Sequence, residues 1–229
     1  MSQKKTKAII FPHWKDSVSQ QIIRKILFDI EVPPVVLLIT THHEISEKKF
    51  SIMKKGALER EGSTFEIHQK SAEHLMMYFP WFRENELIST LEPTFQLPLQ
   101  ILHRYLPSIQ IVPIIVPDAP YEKCMALGEA LTKTLLNQTN TTLLIVLTHF
   151  SHELNRNIRM QQDKKILEAI NTFSVKSFYD IVTKEKIKTC SLTPVTALLQ
   201  MLSNVGASRI EHFSESTSTL IDHHALIFS

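Results

Sequence analysis

The chain has 229 residues, 43% of them hydrophobic and 21% charged, and 25 basic residues nearly balance 23 acidic ones. That length supports one substantial core, and the composition excludes wholesale disorder. A formal net charge of +2 supplies no concentrated basic face, so no nucleic-acid partner is expected.

In chain order, residues 1–6 read as a flexible basic tail, and the terminal basic cluster Lys4, Lys5 and Lys7 as solvated. Lys7 to Phe11 reads as a short buried strand stopped by Pro12. Ser17 is placed to cap a helix whose apolar residues Ile22, Ile23, Ile26, Leu27 and Ile30 recur at helical spacing, and Pro33-Pro34 break it. Val35 to Thr40 is a branched apolar run suited to a strand covered on both faces. Residues 44–70 are polar and mixed, and predict a long excursion with little regular structure. Short helices are predicted over 72–78 and 98–105. Ile109 to Val116 predicts a strand whose internal Pro113 cannot donate a ladder bond, which argues for an edge or a bulge. A helix over 121–136, a strand over 142–147, helices at 161–171, 174–182 and 194–204, and a last strand over 219–228 complete the pattern. Strands separated by helices predict crossover units. The expected fold is α/β, with a central mostly parallel or mixed sheet and helices on both faces, in a single domain over 1–229.

Only four glycines are present, and the phosphate-cradling and nucleophile-elbow glycine motifs are missing from the sequence. Cys124 and Cys190 are distant in sequence, so a disulfide framework is not expected and a reducing, cytoplasmic setting is. No apolar run reaches the length of a membrane span.

Ligands in open α/β sheets gather at the carboxyl ends of strands. His13 follows the first predicted strand, His42 and His43 the second, and His149 and His152 the strand 142–147. Cys190 follows the short stretch 187–189 and precedes Thr193-Pro194, read as an N-cap and a first helical proline. Imidazole and thiolate bind borderline and soft metals, and three such groups on separate strand ends leave a coordination position open. A helix N-terminus also favours the thiolate. By pattern alone each histidine reads more readily as a hydrogen-bonded loop residue than as a ligand, and Cys190 as a small buried hydrophobe. His43 or His152 can be a fourth ligand or a general base. A cysteine-nucleophile hydrolase using Cys190 with His152 has no local signature. Cys124, inside a helical pattern, reads as core packing.

Six segments together resemble the Memo family: Lys-Ala-Ile-Ile-Phe-Pro-His (7–13), Leu-Ile-Thr-Thr-His-His (38–43), Phe-Gln-Leu-Pro (95–98), Ile-Val-Pro-Ile-Ile-Val (111–116), Phe-Ser-His (150–152), and Thr189-Cys190 with Pro194. The family is also named AmmeMemoRadiSam system protein B. The resemblance implies a fold shared with class III extradiol (LigB-type) non-haem iron dioxygenases. It implies a metal site of His13, His42 and Cys190, with iron or copper as the metal and His152 as a further site histidine assigned the catalytic proton. By the same analogy the partners are AMMECR-type and radical-SAM-type proteins. Three departures stand out. Trp14-Lys15-Asp16 replaces Ala-Gly-Tyr, Thr90-Leu91-Glu92 replaces Glu-His-Ser, and His149 replaces the Asp of Ser-Asp-Phe-Ser-His. The functional expectation is a metal-dependent, dioxygenase-like redox protein, or alternatively an interaction module that keeps the scaffold without the chemistry.

Overall fold

The structure, a computed structural model, describes residues 6–13, 16–41, 49–60, 62–85, 93–137, 142–216 and 222–229. In chain order these form β1 (Ala8–Phe11), α1 (Ser17–Asp29), β2 (Val35–Thr41), β3 (Phe50–Ile52), β4 (Ala57–Arg60), β5 (Ser63–Glu66), α2 (Gln69–Tyr78) and β6 (Phe82–Glu84). They continue with α3 (Gln96–Tyr105), β7 (Gln110–Val116), α4 (Tyr121–Asn137), β8 (Thr142–Leu147), α5 (Arg156–Asn171), α6 (Val175–Lys184), α7 (Leu192–Asn204), β9 (Ile210–Ser216) and β10 (Asp222–Phe228).

The main sheet has the order β6-β3-β7-β2-β8-β1-β10-β9. Its centre, β7-β2-β8-β1, is parallel. β10 joins β1 antiparallel, β9 joins β10 antiparallel, and β3 joins β7 antiparallel, so the sheet is mixed. Every residue of β1, β2 and β8 is buried, as continuous apolar strands covered on both faces require. Alternate side chains go to opposite layers. Ile10, Leu37, Ile39, Ile114 and Val146 pack with the helices α2 and α4 to α7. Ile9, Phe11, Val36, Leu38 and Ile145 pack with α1 and α3. Helices therefore cover both faces, and the fold is the expected α/β class with a mixed central sheet.

Several local expectations are corrected. Asp16, not Ser17, caps α1: its side chain accepts from the Ser19 N–H at 2.7 Å, and Ser17 is already helical. The expected excursion contains regular structure: Phe50–Ile52 forms β3, and Ala57–Arg60 pairs antiparallel with Ser63–Glu66 as β4 and β5. Pro113 sits neither on an edge strand nor in a bulge; it pairs in register with Leu38 of β2. Its carbonyl accepts from Met53 N on the β3 side. In a strand the N–H of a residue points the same way as its C=O, so the missing donor faces the point where the short β3 ladder has already ended at Ile52–Ile114. Residues 1–5 of the expected basic tail lie outside the described residues.

The helix pair α4–α7 is held unusually close. A Cβ on Gly128 would lie 2.5 Å from Gln200 Cβ and 2.8 Å from the Ala197 carbonyl oxygen, so only glycine fits there. That contact fixes α7, whose N-terminal end follows Cys190.

Candidate metal centre

β1 and β8 run parallel with Phe11 in register with Leu147, and Thr148 N–H donates to the Phe11 carbonyl at 3.0 Å. His13 and His149 each lie two residues beyond those paired ends. Equal offsets on adjacent parallel strands bring the two rings together, with centroids 4.1 Å apart and planes inclined at 55°.

Cys190 reaches the same point from a different kind of element. It follows no strand, contrary to the strand-end expectation, and lies in the loop between α6 and α7. Ser191 is the N-cap of α7 and Leu192 its first residue, so Thr193 and Pro194 fall inside the first turn rather than at the cap. The loop is tied down from three sides. Thr41 Oγ1 at the end of β2 donates to the Cys190 carbonyl at 2.6 Å. Thr189 Oγ1 donates to the His149 carbonyl at 2.9 Å, and His152 N–H donates to the Lys188 carbonyl at 2.9 Å.

The sulfur is buried, 4% exposed, yet surrounded by polar groups. His13 Nε2 lies 3.4 Å from Sγ, Thr148 Oγ1 3.2 Å from it, and the His149 backbone N–H donates to it at 3.0 Å. Burial alone raises a thiol pKa, but the charge and hydrogen bond of His13, with further hydrogen bonds from His149 and His152, outweigh it and hold Cys190 well below its ordinary value. His149 moves the other way from its usual 6.5, to about 3, chiefly because it is buried and then because His13 faces it. A thiolate beside a neutral imidazole is the protonation state in which both groups bind metal.

The ligand atoms of His13, His149 and Cys190 all lie within 4.8 Å of one another. Metal–sulfur and metal–nitrogen bonds of ordinary length set S and N about 3.1 Å apart at a right angle and about 3.6 Å apart at the tetrahedral angle. The observed 3.4 Å between Nε2 and Sγ falls inside that interval. Two nitrogens and one sulfur also suit iron, copper or zinc in kind. The residues present therefore fit a transition-metal ion.

Of the residues singled out in the sequence, the structure brings His13 and Cys190 into contact. His42 and His43 lie outside the described residues, as do Trp14, Lys15 and 90–92. His152 is exposed, and its ring centroid is 6.4 Å from that of His149. Sequence reasoning missed His149 as a candidate ligand. It noted a histidine after β8, but the resemblance places an Asp at that position. The signal that finds it is register: His149 stands at the same offset past β8 as His13 past β1.

A family model described as Memo-like protein matches residues 1–225. The chain is similar to a MEMO1 family protein of Thermotoga petrophila, 25% identical over 169 residues, which are 74% of this chain and 61% of that protein. It is similar also to the MEMO1 family protein PAE0818 of Pyrobaculum aerophilum, 21% identical over 186 residues, 81% of this chain and 66% of that one. The chain thus spans a little under two thirds of the length of these relatives. The crystal structure of uncharacterized protein JW3007 from Escherichia coli K12 shares the fold, with a TM-score of 0.61 at 12% identity over 97% of this chain and 99% of that one.

Proposed function

The chain belongs to the Memo-like family, and from that membership together with the His13–His149–Cys190 cluster we propose that it holds one transition-metal ion, iron or copper, for dioxygenase-like redox chemistry. The observation that carries this reading is the buried sulfur 3.4 Å from an imidazole nitrogen, with a second imidazole beside both. His42 joins the ligands in this reading, since the residue before it, Thr41, is bonded to the Cys190 carbonyl. A bound iron or copper ion supplies Lewis acidity and one-electron redox change. The chain's own part is to hold Cys190 as thiolate, to present His149 as a neutral donor, and to exclude water from the sulfur. His152, exposed at the edge of the cluster, is assigned the transfer of a proton to or from bound substrate.

Residues 1–229 act as one α/β unit around this site in a cytoplasmic setting, with AMMECR-type and radical-SAM-type proteins as its partners. Among the described residues no helix is long and apolar enough to cross a membrane. The test is reconstitution with Fe(II), Cu(I) or Zn(II), followed by metal analysis and oxygen uptake with catechol-type substrates. About one ion per chain that is lost in Cys190→Ala is expected, with His152→Gln keeping that ion and losing turnover. No bound metal after all three treatments would overturn the reading.

One observation favours a second reading, a non-catalytic module on the same scaffold. Asp16, within the segment that departs from the family's Ala-Gly-Tyr, is engaged structurally: it caps α1 and lies 3.2 Å from His223 Nε2. A bound metal with no oxygen uptake, and a protein partner retained by the His13→Ala/Cys190→Ala variant, would select it.

A further inference from the structure

A second pair of histidines lies apart from the first cluster, on the β9–β10 hairpin. In that ladder His224 stands opposite Ser214 and His212 opposite Leu226, so the two imidazoles are diagonal neighbours on one face. His212 Nε2 is 3.1 Å from His224 Nδ1. The ring of His224 is held from behind. Phe150 stacks on it with centroids 5.4 Å apart and planes at 23°. Its Nε2 lies 3.5 Å from Asp163 Oδ2, and the other oxygen of that buried carboxylate accepts from the Ser151 N–H at 2.8 Å. The pair borders a cavity of about 380 Å³ between α5 and the hairpin. Four carboxylates, Asp163, Glu168, Glu215 and Asp222, line it against one ammonium, Lys164.

We propose that His212 and His224 form a second metal site, solvent-facing and free of sulfur, that takes a divalent transition-metal ion of borderline softness such as Zn(II). Two nitrogens bound to one ion at about 2.0–2.1 Å and roughly a right angle stand about 3 Å apart, which is the spacing already present. Phe150 stacks on the His224 ring, and the Asp163 carboxylate 3.5 Å from Nε2 stands where closing a hydrogen bond on metal binding at Nδ1 would fix the tautomer and raise ligand basicity. Exposed His212 needs only to turn about its side-chain torsions to exchange the N···N contact for a shared ion. The cavity leaves room for the water ligands that complete the shell, and its carboxylates favour a cation. This proposal stands on residues separate from His13, His149 and Cys190.

The test is titration of the full chain with Zn(II) alone, followed by calorimetry and by the imidazole NMR signals. Two binding events are expected. The second shifts the His212 and His224 signals, weakens at least tenfold in His212→Gln, and weakens about tenfold in Asp163→Asn. It persists in Cys190→Ala, which removes the first event, so failure of either site is read separately. Unmoved His212 and His224 signals at saturating Zn(II), or an unchanged second event in His212→Gln, would overturn the proposal.

Discussion

Two cysteines of this chain share almost the same burial and have opposite chemistry. Cys124 is 0% exposed and Cys190 4% exposed. Cys124 Sγ lies 3.8 Å from Thr193 Oγ1 and 3.5 Å from the Ala119 carbonyl, among neutral partners. Burial pushes its pKa from 9.0 up to about 11 despite the Thr193 hydrogen bond, and Asp118 adds to the rise. Cys190 meets the same desolvation, but His13, His149 and His152 surround it and reverse the outcome. Burial decides a thiol's state where a single hydroxyl is its only side-chain hydrogen-bond partner, and not where imidazoles answer it. In this fold the difference comes from where the chain turns: Cys124 faces the α4–α7 contact, whereas Cys190 faces two strand ends that each carry a histidine.

The largest effect that tests this contrast is on metal. Cys190→Ala is expected to lower affinity for the first ion more than about 100-fold, beyond what loss of an orienting partner costs, as read by equilibrium dialysis. Equal retention in both cysteine variants would erase the contrast. The next effect is on stability against pH in metal-free protein. His149 is neutral when folded down to about 3 and protonates near 6.5 when unfolded. The unfolded state therefore binds the extra proton, and stability falls by about 1.4 kcal/mol per unit as pH drops from about 6.5 toward 3. Cys190, depressed below 9.0, has the same sign: its contribution is present above 9 and is lost as pH falls through its folded value. Cys124 has the opposite sign, with stability intact below 9 and lost as pH rises toward about 11. Chemical denaturation across pH, in wild type and His149→Gln, checks the acid limb.

Smaller effects concern packing. Gly128→Ala is expected to cost about 1–3 kcal/mol, because the new Cβ meets Gln200 Cβ at 2.5 Å and Ala197 backbone at 2.8 Å. Its thermal midpoint should fall. Cys124→Ala, at the small end, should cost about 1 kcal/mol and leave metal content unchanged. Ultraviolet thiolate absorbance gives the finest comparison: at neutral pH, Cys190→Ala should remove it and Cys124→Ala should not.

The central strands were legible because strands buried on both faces are written as unbroken apolar runs, Val35–Thr40 and 142–147 most plainly. The peripheral strands were not. β3 and β6 have three residues each, β5 alternates buried and exposed over only four, and β9 is a polar outer edge with Glu211, Ser214 and Glu215. Composition does not separate such segments from loops; pairing with a neighbour makes them strands. At the site, His13 and Cys190 were visible from residue type and from the family resemblance. His149 was hidden because its role depends on the β1–β8 register, which one sequence does not display. The start of α7 was misplaced because Thr193-Pro194 mimics a cap, while Ser191 holds that position.

X-ray absorption at the metal edge of the purified protein addresses the meeting of sulfur and imidazole most directly. The account predicts one sulfur at about 2.3 Å with nitrogens at about 2.0–2.1 Å around a single ion, and loss of the sulfur shell in Cys190→Ala. Absence of any sulfur neighbour in wild-type protein that holds metal at the Cys190-dependent site would contradict it.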